Sequence, residues 1–266
     1  MKSFLTNYLL YLYIYSFVGW VYESTFVSIQ SKHLVNRGFM HGPFLPIYGS
    51  GAILILFINH LSNGVIWKSF IFSIIVCTIM ELCTGLTMEK LFKVRYWDYR
   101  NIPGNIKGYV APTVSLFWGI LSMSLNLFIH PWVSSLLTYV PFDVLETITY
   151  ALTICIAVDF TLSFIESMDL RRTLEEIASK NKEIQKIKET LTEKKQSLSD
   201  NIISLKDYSK LLQIETKNLL NHKLTEISKN NPIRSKHALN VLRRNPAVIS
   251  IKYVEELKEF LKHGKR

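Results

Sequence analysis

Residues 5–29 read LTNYLLYLYIYSFVGWVYESTFVSI, and Glu23 is the only charged residue among them. At 1.5 Å rise per residue, a helix of this length measures about 37 Å, enough to cross the roughly 30 Å hydrocarbon layer of a bilayer. The run is longer than the apolar core of a secretory signal peptide, and no small-residue cleavage motif follows it. It therefore predicts a membrane-spanning helix.

The rest of the chain separates into an apolar part and a charged part. Four more apolar stretches of spanning character cover Phe44–Leu61, Ile66–Thr87, Tyr109–Ile129 and Leu145–Ile165. Residues 1–166 carry 9 Lys/Arg and 8 Asp/Glu, whereas residues 167–266 carry 22 and 13, a split that excludes a single soluble globular enzyme. We predict an all-α protein with five transmembrane helices (residues 1–168), a long cytoplasmic coiled-coil helix (169–230) and a basic C-terminal segment (231–266).

Basic residues predict the orientation of the helices. The loops on one side carry only Lys2 and Lys68, whereas those on the other side carry seven Lys/Arg and adjoin the basic tail. Because cytoplasmic loops are enriched in Lys and Arg, we predict a plasma-membrane protein with its N-terminus outside and its C-terminus in the cytoplasm. A re-entrant elbow at Gly42-Pro43 and Pro46 stays open as an alternative.

Three carboxylates interrupt the apolar segments. Glu23, Glu81 and Asp159 each precede the cytoplasmic end of their segment by about six residues, which corresponds to about 9 Å. Gly19 and Gly85 lie four residues from the two glutamates, where small residues permit close helix approach. Charged side chains inside a membrane are costly and face the interior of a bundle. The three carboxylates are therefore expected to form one polar layer.

Tyr48, Ser115 and Trp118 are expected at a similar depth on the oppositely directed segments. Together with the carboxylates they indicate a cytoplasm-facing pocket that binds a substrate, an ion or a proton. The alternative is an internal network in which the acids pair with loop arginines such as Arg37, Arg95 and Arg100. No metal site or cofactor is indicated, because the histidines have no ligand spacing and the three cysteines lie in apolar runs without a CxxC pair.

Two loops on the predicted cytoplasmic side are rich in glycine, proline and polar residues. In the first, Asn36, Arg37 and His41 accompany glycines and prolines, which favours a fixed non-helical shape. The second alternates aromatic, acidic and basic residues, which suits a folded interfacial loop or the rim of a ligand site. Its marked positions are Trp97, Asp98, Tyr99, Arg100 and Asn105.

These loops and the glutamates together form an ordered set of motifs that resembles a known family. The set comprises Gly19 with Glu23, Asn36-Arg37-Gly38, Gly42-Pro43, Pro46-Ile47-Tyr48-Gly49, Glu81 with Gly85, Trp97-Asp98-Tyr99, Asn105, Ser115 and Trp118-Gly119. Over roughly residues 10–130 it resembles the bacterial ABC-transporter permeases of type IV, CmpB-like. The resemblance implies a bacterial plasma-membrane protein with a permease-type role. The chain has no GxxxxGK[ST] motif, so a separate ATPase subunit would have to supply ATP hydrolysis.

The polar tail shows an unbroken seven-residue repeat of Leu and Ile. Its members are Leu170, Ile177, Ile184, Leu191, Leu198, Leu205, Leu212 and Leu219. The spacing predicts a coiled-coil seam and favours a homo-oligomer formed through the tail. A hairpin that turns at Ser199-Asp200-Asn201 and a lone solvated helix stay open. The basic residues that follow suit anionic membrane lipid better than nucleic acid, since no nucleic-acid-reading motif accompanies them.

Three functional classes follow from these features. The first is a transporter or permease-type component that binds its substrate or ion at the carboxylates. The second is a membrane sensor or scaffold that signals through its tail. The third is an intramembrane enzyme, which is less favoured because the chain contains neither HExxH nor GxSxG.

Overall fold

The computed structural model describes residues 2–198, 218, 222, 225–226, 231–245 and 248–263. In this part of the chain the regular structure is helical, with two isolated β-bridges, and the prediction of an all-α protein is confirmed. The elements are α1 (Lys2–Ser31), α2 (Pro46–Leu61), α3 (Ile66–Phe92), α4 (Pro112–Ser124), a π-helical turn (Leu125–Ile129), α5 (His130–Thr138), α6 (Phe142–Leu198), α7 (Pro232–Arg244) and α8 (Val254–His263).

The chain is a multi-pass membrane protein by the length and composition of its helices. Four helical segments are long and apolar enough to cross a bilayer: Phe4–Ser31, Ile66–Phe92, Pro112–Thr138 and Phe142–Lys182. Helix α2 is equally apolar but has only 16 residues. That length corresponds to about 24 Å, so α2 alone is shorter than a usual spanning helix.

Prolines determine where two helices begin. Helix α2 starts at Pro46 and α4 at Pro112, whereas the apolar runs that predicted them start at Phe44 and Tyr109. Proline suits the first helical position, because its fixed φ is helical and its missing N–H would have no partner there. The fourth segment does not end at Ile129 as predicted, because the π turn that ends there leads directly into α5.

By contact density the chain divides into two compact units. Residues 1–91, 95–165 and 243–249 form the first, which we call the membrane unit, and residues 92–94, 166–242 and 250–266 form the second, which we call the tail unit.

An apolar core occupies the interior of the membrane unit. Buried Tyr15, Ile55, Cys77 and Trp118 belong to this core and bring together residues of α1, α2, α3 and α4. Large apolar side chains such as Phe128, 70% exposed, cover much of the outer surface. An apolar surface of this kind is expected where helices face lipid rather than water.

The segment between α1 and α2 runs back along α1 rather than leaving the bundle. Its backbone N–H groups bond to α1 in descending order: Val35 to Ser28 Oγ (2.9 Å), Arg37 to Ser24 Oγ (3.1 Å) and Leu45 to the Ser16 carbonyl (3.0 Å). Ser16 lies 15 residues before the end of α1, or about 22 Å along its axis. Helix α2 therefore begins beside the middle of α1, and the hydroxyls of Ser24 and Ser28 accept two backbone N–H groups of the segment. We call residues 32–45 the re-entrant segment.

In the tail unit, α7 packs antiparallel against the tail part of α6. The polar contacts are Asn240–Glu166 (3.1 Å), His237–Asp169 (2.7 Å) and Arg234–Glu176 (2.8 Å), and Lys180–Glu226 (3.9 Å) continues the same order. Leu170, Leu174 and Ile177 are at most 1% exposed. The first two positions of the seven-residue repeat are thus already buried inside this chain. The side chains of the remaining repeat positions, Ile184 to Leu219, lie outside the described residues, and tail self-association stays a prediction.

Candidate functional site

Glu81 is the most enclosed acidic side chain of the membrane unit's helices, with 4% exposure. The Tyr99 hydroxyl donates a hydrogen bond to Glu81 Oε1 at 3.1 Å. The Trp118 indole N–H donates to Glu81 Oε2 at 3.1 Å. Among the residues that the structure describes, no Lys, Arg or His forms an ion pair with this carboxylate. Its two oxygens are therefore held by neutral aromatic donors from the second long loop and from α4.

Glu23 has a different shell of partners. The Tyr48 hydroxyl donates to Glu23 Oε1 at 2.8 Å. Arg37 Nε lies 3.9 Å from Glu23 Oε2, a long ion pair, and the two side chains are 14% and 30% exposed. The same guanidinium donates to the Tyr96 carbonyl at 2.9 Å. The alternative predicted from the sequence, an acid paired with a loop arginine, thus describes Glu23 in part but not Glu81.

Aromatic rings connect the two glutamates. The Tyr48 ring lies 5.6 Å from the Trp118 ring between centroids, so the donor of Glu23 contacts the donor of Glu81. Burial and the adjacent Glu81 carboxylate raise the pKa of Tyr99. We call Glu23, Glu81, Tyr48, Tyr99 and Trp118 the carboxylate cluster.

The two glycines near the glutamates make room for aromatic rings. A Cβ on Gly19 would lie 2.3 Å from Tyr48 Cγ, and a Cβ on Gly85 would lie 3.0 Å from Tyr109 Cδ1 and 3.2 Å from Trp97 Cζ2. Close approach at these positions was expected from the sequence, and the approaching groups are side chains of α2 and the second loop. Gly19 in particular lets Tyr48 reach Glu23 one helical turn away.

Asp159 has partners of its own and is not part of the carboxylate cluster. Its Oδ1 accepts the His41 backbone N–H at 3.0 Å and its Oδ2 accepts the Gly42 N–H at 2.8 Å. His41 Nδ1 also lies 3.0 Å from Asp159 Oδ1 and 2.9 Å from the Ser163 hydroxyl. Asp159 thus binds the re-entrant segment to α6.

Other predicted site residues also have local partners. Ser115 accepts a hydrogen bond from the Thr78 hydroxyl at 2.8 Å. Asn36 accepts the Trp20 indole N–H at 2.6 Å and donates to the His41 carbonyl at 2.6 Å. The two contacts of Asn36 fix the shape of the re-entrant segment, whereas the Ser115 contact joins α3 to α4.

The second loop folds around Arg95, which is 6% exposed. This guanidinium pairs with Glu89, donates to the Lys107 carbonyl at 2.7 Å and lies 4.1 Å from the centre of the Tyr109 ring. The alternative interpretation named Arg95 and Arg100 as partners of Glu23, Glu81 and Asp159, but these arginines pair with Glu89 and Asp98. The other marked residues of this loop have local contacts: Asp98 pairs with Arg100 (2.8 Å), Trp97 Nε1 donates to the Tyr109 carbonyl (2.9 Å), and Asn105 Oδ1 accepts the Gly108 N–H (2.9 Å).

A segment from far along the chain joins both loops, and sequence reasoning missed it. Asn245, 2% exposed, donates to the Gly38 carbonyl at 2.8 Å, and its Oδ1 lies 3.5 Å from Arg37 Nη1. Ile249 pairs with Arg95 through two backbone hydrogen bonds of 2.7 and 3.1 Å. We call residues 243–249 the strap. The turn-forming dipeptide Asn245-Pro246 was its only local signal.

Among the described residues, no group of three or more His, Cys, Asp or Glu side chains is arranged to hold a metal ion. The carboxylate cluster offers carboxylate oxygens, hydroxyls and indole N–H groups. These groups can bind a proton, a cation or a polar solute. The fold and this site together define the class as helical membrane proteins with acidic side chains in the interior of the bundle.

Comparison with known proteins places the chain within one family of that class. The family model described as "Putative ABC-transporter type IV" matches residues 10–164, and the chain belongs to this family. The match extends beyond the region of the resemblance and contains Glu23, Glu81 and Asp159. No curated protein and no solved structure matches the chain.

Proposed function

We propose that the protein is the permease-type component of an ABC-type transport system and that Glu81 is its central binding group for a cation or proton. One observation carries the proposal: within the described part of the chain, a carboxylate with 4% exposure has only the neutral donors Tyr99 and Trp118 as hydrogen-bond partners. An isolated buried charge is too costly to persist, so such a group takes up a proton or a bound cation. Either state makes Glu81 responsive to the solution that reaches it.

Glu23 and Arg37 form the access side of this site. They are more exposed than Glu81, and their ion pair is long at 3.9 Å. A cation that approaches Glu23 competes with Arg37, and Tyr48 and Trp118 link Glu23 to Glu81. In this mechanism Arg37 is released when the cation binds, and the change reaches the loop that contains Gly38.

The loop charges support a cytoplasmic location for this access side, with the N-terminus outside the cell. In this arrangement the re-entrant segment and α2 together make the second of five crossings. A separate ATPase subunit would drive the transport cycle, since the chain has no phosphate-binding loop. Co-purification of an ATPase with the tagged protein from its native membrane would support this partner.

The decisive experiment replaces Glu81 by Gln, with Glu255→Gln as the matched control. Glu255 is a glutamate whose side chain is 73% exposed. Infrared difference spectra between acidic and alkaline pH report the carbonyl band of a protonated buried carboxylic acid. We expect the band in the wild type and the control and its loss in Glu81→Gln. If Glu81 instead holds a cation, Na⁺, K⁺, Mg²⁺ or Ca²⁺ at constant ionic strength should raise the melting temperature of the wild type but not of Glu81→Gln.

Stability separates this proposal from a structural role. The Gln side chain keeps one acceptor for Tyr99 or Trp118 and removes a buried charge, so Glu81→Gln should change stability by no more than about 1 kcal/mol. A loss of about 3–5 kcal/mol, the usual effect of breaking a buried ion pair, would show that Glu81 is structural. The proposal would also be refuted if a stable Glu81→Gln variant had the same infrared spectra and the same response to ions as the wild type.

The strap favours a membrane sensor as the second candidate. Asn245 and Ile249 of the strap contact the loops of Arg37 and Arg95, and the strap is continuous in sequence with α7 and α8 of the tail unit. Occupancy of the carboxylate cluster could thus alter the strap through Arg37. If the protein is a sensor, addition of a cation should change how fast a protease cleaves the wild-type tail, and Asn245→Ala should abolish that change. If the protein is a transporter, Asn245→Ala should change the transport rate.

A further inference from the structure

A second candidate site lies at the other end of α1 from Glu23. A cavity of about 420 Å³ is lined by residues that include Tyr8, Tyr11, Asn59, His60, Asn63 and His130. Small-molecule sites usually measure about 300–1,000 Å³, so this volume is within their range. Tyr11 and Glu23 are 12 residues apart on α1, or about 18 Å, which separates the cavity from the carboxylate cluster.

Aromatic rings form walls of this cavity at right angles to one another. The Tyr8 and Tyr11 rings are 6.3 Å apart with an interplanar angle of 79°. The Tyr11 and His130 rings are 4.9 Å apart with an angle of 76°. Tyr8, Tyr11 and His130 thus give the cavity an aromatic lining, and aromatic side chains are the groups that bind quaternary ammonium ions in aromatic cages.

The polar part of the lining consists of uncharged groups that suit a positively charged guest. Among the lining residues that the structure describes, none is Lys, Arg, Asp or Glu. A cationic guest therefore meets no fixed positive charge from these residues.

The π-helical turn places His130 in this wall. The turn ends at Ile129, next to His130 and Pro131, and π turns inside α-helices frequently occur at functional sites. His130 Nδ1 lies 2.8 Å from the Tyr15 hydroxyl, which fixes the imidazole ring. The wall is thus held by hydrogen bonding before any guest arrives.

We propose that this cavity binds a small organic ammonium ion and that Tyr8 and Tyr11 hold its cationic head. The proposal does not depend on the function of the carboxylate cluster. Choline is the probe, because its trimethylammonium group matches an aromatic cage. Its neutral isostere 3,3-dimethylbutan-1-ol has the same shape without the charge. The comparison therefore isolates the contribution of the charge.

The experiment measures radiolabelled choline bound to the full-length protein by equilibrium dialysis. The detergent is a maltoside, which has no choline headgroup, and the pH is mildly alkaline. We expect saturable binding that the neutral isostere does not displace. Tyr8→Phe, which keeps the ring, should bind choline nearly as the wild type does. Tyr8→Leu should weaken binding about 2- to 30-fold, the contribution of one cation–π contact.

A second variant tests the charge preference even if Tyr8→Leu fails to fold. Asn63 is exposed at the cavity and has φ of 51°, a conformation that Asp tolerates as Asn does. Asn63→Asp adds a negative charge with almost no change of shape, so it should tighten choline binding and leave the neutral isostere unaffected. Absence of saturable binding at millimolar choline would overturn the proposal. Equal displacement by the neutral isostere, or no effect of either Tyr8→Leu or Asn63→Asp, would overturn it as well.

Discussion

Substitution of Gly19 by Ala tests how Tyr48 is held against Glu23. A Cβ on Gly19 would lie 2.3 Å from Tyr48 Cγ and 2.4 Å from Tyr48 Cβ. Carbon atoms in contact are normally about 3.5–4.0 Å apart, so α2 would have to move by roughly 1 Å. Both atoms lie close to the backbone of α2, which means that a change of side-chain rotamer cannot relieve the clash. The movement would also lengthen the 2.8 Å hydrogen bond from Tyr48 to Glu23.

These terms combine to a moderate loss of stability. Overpacking in a close contact costs about 1–3 kcal/mol, and a lost hydrogen bond to a charged group costs about 1.5–3 kcal/mol. We take the lower end for the hydrogen bond because Glu23 is 30% exposed. The higher helix propensity of Ala offsets about 1 kcal/mol. Gly19→Ala should therefore destabilise the protein by about 1–4 kcal/mol.

The assay is thermal unfolding of the purified protein in detergent, with Val18→Ala as the control. Val18 is the neighbouring residue and is 44% exposed, so its truncation should have little effect. In a Tyr48→Gly background the clash is absent, so the Gly19→Ala/Tyr48→Gly protein should be as stable as the Tyr48→Gly protein. Tyr48→Ala should not relieve the clash, because the Cβ of residue 48 remains in place. Wild-type melting of Gly19→Ala, or additive losses in the Gly19→Ala/Tyr48→Gly double variant, would refute the reasoning.

Asp159→Ala should leave the N–H groups of His41 and Gly42 without acceptors, at about 1–3 kcal/mol for each, and accelerate their hydrogen exchange; unchanged exchange at both residues would contradict the proposed anchoring. Since the pKa of Tyr99 is raised in the folded state, the unfolded chain ionises first as pH rises, so stability is intact below about pH 10 and falls above it. Tyr99→Phe should lose less stability than the wild type in that alkaline range, as melting temperatures would show, and parallel curves would refute the assignment. A reporter active only in the cytoplasm, fused after Arg266, should be active if the predicted orientation holds, and activity of an exterior reporter there would refute it.

From the regular rise of a helix, Glu23 and Glu81 were expected at one level, with Tyr48 and Trp118 beside them. Two hydrogen bonds, Tyr48–Glu23 and Trp118–Glu81, and the contact of the Tyr48 and Trp118 rings connect these four residues. Asp159 satisfied the same depth argument but has different partners. Depth alone does not fix which side of a helix faces the interior, and its position on α6 turns it toward the re-entrant segment.

Contacts made by irregular backbone could not be predicted from periodicity. The sequence allowed a re-entrant elbow but contains no sign that Val35 and Arg37 would bond to serines of α1. The strap lies in a basic stretch without an apolar pattern, so nothing indicated that Asn245 would bond beside Gly38. In the tail, a seven-residue repeat cannot distinguish a partner helix in another chain from one in the same chain, and Leu170 and Ile177 are already buried within this chain.

The strap also determines the order in which the membrane unit can be completed during synthesis. A ribosome makes the chain from its N-terminus, and Asn245 follows Arg37 by about two hundred residues. The four long apolar segments can enter the bilayer as they emerge, but the Arg37 and Arg95 loops cannot reach their final contacts until Ile249 has been made. A polypeptide released early, at the end of the last apolar segment, would thus contain the whole bundle and both glutamates with the two loops unfinished. Those loops are the part of the membrane unit whose folding waits for the end of translation.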